Sequence, residues 1–298
     1  MAIIVAGTAS GIEVVGEGGT GHLRGESCTA LAAEGIHLWA ILDETSVFRG
    51  LVGGSWEGVT EIPSRARCLL AHGNGPYVGT GEARLFRVSG GTVGPVASFD
   101  EVEGREKWYT PWGGPPDTRS MSASHGTIYV NVHVGGIVRS PDGGDSWEPT
   151  IDIDADVHQV LAHPDLPGLV LASTAWGLAR SDDGGDSWSF HDEGLHASYS
   201  RAVAIAGDTI LVSASTGPRG GSAALYRRPL QSDGPFERCA GGLPEWFPGN
   251  IDTHCLAASG TSVAFGTEAG EVFLSEDEGR TWGQAASGLP AVRALVLH

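Results

Sequence analysis

The sequence has almost no lysine, few cysteines and no long hydrophobic run, and each absence narrows the range of functions. Lys107 is the only lysine among 298 residues, and 18 basic against 36 acidic residues give a formal net charge of −18. Because phosphate groups repel a strongly acidic protein, we expect neither nucleic acid nor an anionic membrane surface as a partner. The acidic surface instead favours solubility.

The N-terminal segment MAIIVAGTAS has no basic residue and only a short apolar run. It therefore predicts neither a signal peptide nor a membrane span. The four cysteines, Cys28, Cys68, Cys239 and Cys255, show no CxxC spacing. We expect free, buried thiols in a cytoplasmic protein.

A short phrase occurs three times: RSPDGGDSW at 139–147, RSDDGGDSW at 180–188 and LSEDEGRTW at 274–282. The first two copies are 41 residues apart, and the third follows 94 residues later, which is two steps of 47. A degenerate copy without the tryptophan lies between them, at 225–237. This period is typical of a propeller blade of four strands, and the 46 glycines fit the many tight turns of such a fold.

The segments upstream of the phrases also repeat as strand, turn, strand, turn, strand, and they predict an all-β, seven-bladed propeller of four-stranded antiparallel blades. The last segment, VRALVLH, reads as a first strand, and AIIVAGTASGIEVV near the N-terminus reads as a second and a third. Joined in one blade, the two termini would close the ring and remove its open edges. The predicted blades of this single domain are 1–26 with 291–298, then 27–64, 65–116, 117–155, 156–198, 199–251 and 252–290.

The phrase resembles the Asp-box, or BNR repeat, of sialidases, sortilin-like propellers and photosystem II assembly factors. Its aspartate and tryptophan are Asp142 and Trp147 in the first copy, Asp183 and Trp188 in the second, and Asp277 and Trp282 in the third. The resemblance implies a structural turn between the third and fourth strands, on the face opposite the usual binding site. The aspartate can accept hydrogen bonds from its own turn, and the tryptophan can pack between blades.

At the other face, basic residues stand where the first strands begin. Six of the seven positions are arginine or histidine, and the remaining one falls at Cys28 or Thr29. The six are Arg67, Arg119, His158, Arg201, His254 and Arg293. Such a ring could bind a carboxylate, phosphate or sulfate. Alternatively, aspartates two residues earlier, Asp117, Asp156 and Asp252, could form local ion pairs that only plug the channel.

Turns and long loops on the same side supply further candidates. The turns between second and third strands contain Glu82, His133, Trp176, Arg219 and Glu268, and the loops at 100–117 and 241–250 contain Tyr109, Trp112 and Trp246. Long loops in compact repeats often carry function, and aromatic walls around a few polar groups are typical of a small-molecule pocket.

Several chemistries remain open for this mouth of the channel. The resemblance to sialidases implies arginines that bind a carboxylate, but the Arg-Ile-Pro motif of that family does not occur, so a typical sialidase is disfavoured. Glu82 and Glu268 are candidates for a glycosidase pair, and His158 or His254 with Tyr109 for a lyase. The sequence requires no cofactor, although His133, His158 and His254 could hold a divalent metal.

We therefore predict a protein that binds, and as a hydrolase or lyase acts on, a small anionic or sugar-derived compound at the channel mouth. The alternative is a non-catalytic scaffold whose arginine-rich face binds an acidic protein segment, as the resemblance to assembly-factor propellers implies. A concave pocket would favour the first function, and a flat basic patch the second.

Overall fold

The computed structural model describes residues 2–16, 19–73 and 75–298, and these form a ring of seven four-stranded antiparallel sheets. Met1, Glu17 and Gly18 of predicted blade 1 and Asn74 of predicted blade 3 lie outside the described residues. The prediction of a seven-bladed β-propeller is confirmed.

Each blade runs from an inner first strand to an outer fourth strand, and neighbouring first strands contact one another around the ring. Blade 1 consists of Val292–Leu297, Ile4–Thr8, Gly11–Val15 and Gly21–His22. Blade 2 consists of Cys28–Glu34, His37–Leu42, Ser46–Leu51 and Trp56–Glu61. Blade 3 consists of Ala66–Leu70, Tyr77–Thr80, Arg84–Ser89 and Thr92–Pro95. Blade 4 consists of Thr118–Ser124, Thr127–Val132, Gly136–Ser140 and Glu148–Pro149.

The remaining blades repeat this order. Blade 5 consists of Val157–Ala162, Val170–Thr174, Gly177–Ser181 and Ser189–His191. Blade 6 consists of Val203–Ala206, Thr209–Ala214, Ala224–Pro229 and Glu237–Arg238. Blade 7 consists of Leu256–Ser259, Ser262–Gly266, Val272–Ser275 and Gly283–Ala286. The short 3₁₀ turns are Gly81–Ala83, Ala97–Glu101, Arg105–Lys107 and Ile153–Ala155.

The ring closes through blade 1, where the last strand of the chain pairs antiparallel with Ile4–Thr8. The pairing supplies the missing first strand of that blade, as the sequence predicts. Hydrogen bonds between Ile3 and His298 in both directions extend it. Within the described residues no helix combines the length and apolar character that a membrane crossing needs.

The core lies between the blades. Among the described residues the buried apolar side chains form seven clusters, each shared by two adjacent blades. Second strands are therefore covered on both faces, and Ile4–Thr8 and Thr209–Ala214 are buried at every position. A strand buried on both faces reads as a continuous apolar run, whereas outer strands such as Glu148–Pro149 are exposed.

The repeated phrases form turns between the third and fourth strands, held by the aspartate. In blade 7, Ser275 Oγ and the Thr281 backbone N–H donate to Asp277 Oδ1, both at 2.8 Å, and Thr281 Oγ1 donates to Oδ2 at 2.7 Å. Hydrogen bonds from Ser146 and Ser187 lower the pKa of Asp142 and Asp183 to about 2. The ionised carboxylate is thus part of the turn.

The tryptophans of these turns pack into the clusters between blades. Trp282 is buried and meets Phe265 edge-on, with ring centroids 5.2 Å apart. Trp147 meets Phe99 at 5.1 Å, and Trp188 packs against the cluster between blades 4 and 5. Each phrase therefore combines a turn with a contact between blades.

Candidate functional site

Four of the six basic ring residues are β-bulge residues, whereas Arg201 and His254 precede the first strands of blades 6 and 7. In five blades the register between first and second strands skips one residue near the start of the first strand. The skipped residues are Thr29, Arg67, Arg119, His158 and Arg293. A bulge re-aims the side chain of its extra residue, so one backbone irregularity, repeated around the ring, positions these groups at the channel mouth.

The ring side chains are linked between blades and across the channel. Arg201 Nη1 donates to both oxygens of Asp252, at 2.9 and 3.0 Å, and Arg67 Nε lies 3.1 Å from Asp117 Oδ2. The predicted local pairs of Asp117 with Arg119 and of Asp252 with His254 are therefore wrong, because both aspartates pair with arginines of the preceding blade. Only Asp156 lies near its own partner, with 3.6 Å between its Oδ2 and His158 Nε2.

The segment before the first strand of blade 7 contacts backbone carbonyl groups of blades 4, 5 and 6. His254 Nε2 lies 3.0 Å from the Arg119 carbonyl oxygen of blade 4, across the channel. Thr253 Oγ1 lies 3.0 Å from the Arg201 carbonyl oxygen and 3.3 Å from that of His158. His254 is thus used in a backbone contact, and burial lowers its pKa.

Asp252 is the acidic centre of this arrangement. Burial acts to raise its pKa, but the charge and hydrogen bonds of Arg201 and the charge of Arg119 lower the pKa below its ordinary value. Burial and the positive charge of the neighbouring Arg201 both lower the pKa of Arg119, because both disfavour its charged form. Arg119 Nη2 lies 3.7 Å from Asp252 Oδ1.

A cavity of about 340 Å³ opens beside this cluster, between blades 6, 7 and 1. Four predicted residues line it, namely Arg201, Arg219, Glu268 and Arg293. Arg219 and Arg293 are exposed and form no ion pair within the described part of the chain. A pocket of this size with convergent polar groups is typical of small-molecule sites.

The structure separates the other candidates from this cavity. Glu82 lies outside its lining, at 3.8 Å from Arg84, so Glu82 and Glu268 do not share the pocket. His158 is fully buried, with its Nδ1 hydrogen-bonded to the Ser200 carbonyl oxygen at 2.6 Å. Because burial removes it from solvent, His158 is not placed as an acid–base group of that pocket.

The predicted aromatic residues stand on the same end of the blades, but apart from the pocket. Every exposed tyrosine and tryptophan among the described residues belongs to this face: Tyr109, Trp112, Trp176 and Trp246 are 45, 70, 47 and 38% exposed. Trp112 lies over the His133 ring, with centroids 5.2 Å apart. Trp246 contacts His196 at 4.7 Å and Arg238 at 4.3 Å.

One group of side chains was only partly anticipated. His133 Nε2 lies 3.2 Å from Asp156 Oδ1, and His158 Nε2 lies 3.6 Å from Asp156 Oδ2. The sequence analysis grouped the two histidines with His254 as metal ligands and placed Asp156 beside His158 only as an ion-pair partner. Asp156 directly precedes the first strand of blade 5 and has a positive φ of 48°, a conformation that sequence alone does not reveal.

Comparisons with known proteins show the fold and no family. No family model matches the chain, and no curated protein matches it. Among solved structures, a GH74 enzyme from Niastella koreensis is 13% identical with a TM-score of 0.63, over 94% of this chain and 46% of that one. This chain thus spans less than half of that enzyme.

Two other similar structures are not described as enzymes. "YCF48 bound to D1 peptide" is 17% identical with a TM-score of 0.59, covering 95% of this chain and 84% of that one. The WD40 β-propeller domain of Doa1 is 11% identical with a TM-score of 0.64, covering 90 and 84%. Propellers similar to this chain therefore include both an enzyme and a peptide-binding protein.

Proposed function

We propose that the protein binds a small anionic or sugar-derived compound in the cavity between blades 6, 7 and 1. The observation that carries the proposal is the pair of exposed arginines, Arg219 and Arg293, that line one concave pocket in a chain of net charge −18 and form no ion pair with the described residues. Paired guanidinium groups bind carboxylate, phosphate or sulfate by charge-assisted hydrogen bonds. The partly exposed Arg201 adds a third, although Asp252 offsets its charge.

The anion site is tested by ligand-dependent thermal melting with glucuronate, glucose 6-phosphate and sulfate, and with neutral glucose for comparison. A ligand that binds only the native state raises the melting temperature. We expect a rise with at least one anion, lost in Arg293→Ala and Arg219→Ala. Both side chains are exposed and form no ion pair with the described residues, so these substitutions should leave the fold intact.

Arg280→Ala is the matched control, because Arg280 lies in the turn after Val272–Ser275, at the opposite end of blade 7. Its ligand response should equal that of the unmodified protein. An anion response that survives in both pocket variants, or disappears in Arg280→Ala, would overturn the proposal.

Catalysis in the same pocket would depend on Glu268. It is the lining carboxylate that forms no ion pair with the described residues, whereas Asp252 is held ionised by Arg201. We therefore assign Glu268 as the candidate general acid–base group of a hydrolase or lyase. Glu268→Gln should keep the anion-dependent rise in melting temperature. It should abolish turnover of any bound compound that the unmodified protein consumes. Retained turnover in this variant would show that Glu268 is not the acid–base group.

The second candidate function is a protein-interaction scaffold, and the exposed aromatic side chains of this face favour it. Large exposed aromatic residues are enriched in protein interfaces. A fluorescence titration with an acidic peptide distinguishes the two functions. Peptide binding that is weakened by Trp112→Ala or Trp176→Ala, but not by Arg293→Ala, would favour the scaffold.

The hydrogen bonds of the repeated turns support the resemblance to Asp-box propellers, and we infer membership of that superfamily on this basis. All four cysteines are buried and free. This supports our proposal of a cytoplasmic location, because a reducing compartment keeps thiols free.

A further inference from the structure

We propose that His133, Asp156 and His158 form a binding site for a divalent transition metal, with zinc the best match. The site lies between blades 4 and 5 at the channel mouth, and it is separate from the anion pocket between blades 6, 7 and 1. Two imidazoles and one carboxylate are a ligand set that suits zinc.

The spacing of the ligand atoms is compatible with a metal bound between them. Zinc–ligand bonds of about 2.0–2.2 Å place tetrahedral ligand atoms about 3.3–3.5 Å apart. The two nitrogen–oxygen separations here are 3.2 and 3.6 Å, and one ligand atom from each of the three residues lies within 4.8 Å of the others.

The orientation of His158 is an independent observation. The ring is fully buried, and its Nδ1 lies 2.6 Å from the Ser200 carbonyl oxygen, which can only accept a hydrogen bond. Nδ1 therefore carries a hydrogen, and Nε2 is the ring nitrogen that faces Asp156 and can bind a metal. Metal-binding histidines are commonly oriented in this way, by a hydrogen bond from the other ring nitrogen to a carbonyl group.

The lone pair of His158 Nε2 has no hydrogen-bond partner in the described part of the chain, and neither has Asp156 Oδ1. When the ring is neutral, its Nε2 lone pair and the carboxylate oxygen repel each other. A cation between the two atoms would convert this repulsion into two favourable bonds.

Aromatic side chains cover the two imidazoles. Trp112 lies over His133, and Tyr199 packs on His158 with ring centroids 4.7 Å apart. Zinc sites with three protein ligands are typically reactive rather than structural, with water or substrate as the fourth ligand. The nearby Arg119 opposes a dication, but Asp252, 3.7 Å from it, offsets part of its charge.

The experiment measures zinc bound to the full chain by equilibrium dialysis, after removal of metals with a chelator. We expect about one zinc ion per chain, and a rise in melting temperature on zinc addition. Asp156→Asn should lower the zinc affinity at least tenfold. Asparagine tolerates a positive φ and keeps the shape of aspartate, so this variant should fold, which its melting temperature without metal checks.

His158→Gln should also lose zinc, and His125→Asn is the matched control. His125 is an exposed histidine with a φ of 50° in the turn after Thr118–Ser124, at the far end of blade 4. Zinc binding that is absent in the unmodified protein, or equal in Asp156→Asn and His125→Asn, would overturn the proposal. Sulfate-dependent melting in the same variants should stay unchanged, so failure of the metal site and failure of the anion pocket are distinguishable.

Discussion

Asp252→Asn is the substitution that most directly probes the charge balance at the channel mouth. Asp252 accepts two hydrogen bonds from Arg201 and one from the Thr253 backbone N–H at 2.9 Å, and it lies near Arg119. Asparagine keeps the size of the side chain but removes its charge. The two arginines then lose their shared counterion.

We expect the change to lower stability and to raise anion affinity. Breaking a fully buried pair costs about 3–5 kcal/mol. Since the Asp252 side chain is 48% exposed, solvent screening reduces the cost to about 1–2 kcal/mol. Asp252 lines the same pocket as Arg219 and Arg293, so its charge would repel an anion bound there. Removal of this repulsion is worth about 1 kcal/mol, or roughly fivefold in affinity.

Urea unfolding at neutral pH measures the first effect, and calorimetric titration with the anion identified by thermal melting measures the second. Added salt should shrink the affinity gain, because it screens exposed charges. The exposed Glu276, at the far end of blade 7, provides the control variant Glu276→Gln. An Asp252→Asn protein that binds the anion more weakly while remaining folded would refute the assignment of the pocket.

Three further predictions concern the turns and the thiols. Asp277→Ala removes three hydrogen bonds from the turn of blade 7. It should destabilise the protein by about 2 kcal/mol in urea unfolding, and an effect no larger than that of Glu276→Ala would contradict the structural role of the phrase. The turn aspartates have pKa values of about 2, below the ordinary 3.8, so their stabilisation is complete above about pH 4 and is lost as the pH falls through about 2. Unfolding series across this range should show the loss, and Asp277→Asn should show less of it. Burial raises the pKa of Cys28 and Cys239 to about 12, so a thiol reagent should react with the native protein only on unfolding, and rapid labelling of any thiol would argue against the packing.

The fold could be predicted because its signals are local and repeated. An aspartate that accepts hydrogen bonds from the residue four positions later, a glycine with positive φ and a packed tryptophan all lie within one nine-residue phrase. The period of the phrases then gives the number of strands in a blade. Likewise, the split blade follows from two incomplete strand patterns at the two termini.

The ring of basic residues was predicted at the correct strand ends, but the reason for its position was not. A bulge depends on how the second strand pairs with the first, and a single sequence carries no sign of that register. The ion pairs were mispredicted for a related reason. Residues two apart on a regular strand share a face, but the bulge at Arg119 breaks this rule, and Asp117 turns to Arg67 of the neighbouring blade.

The amino-acid sequence by itself determined the repeat, the strand pattern, the buried faces and the presence of arginine and histidine at one end of every blade but one. These features depend on contacts within a phrase or a blade. Tertiary structure decided three other features: which blades share a pocket, which aspartate neutralises Arg201, and the convergence of Asp156 with His133 and His158. They are distances between groups far apart in the chain, and closure of the ring sets those distances.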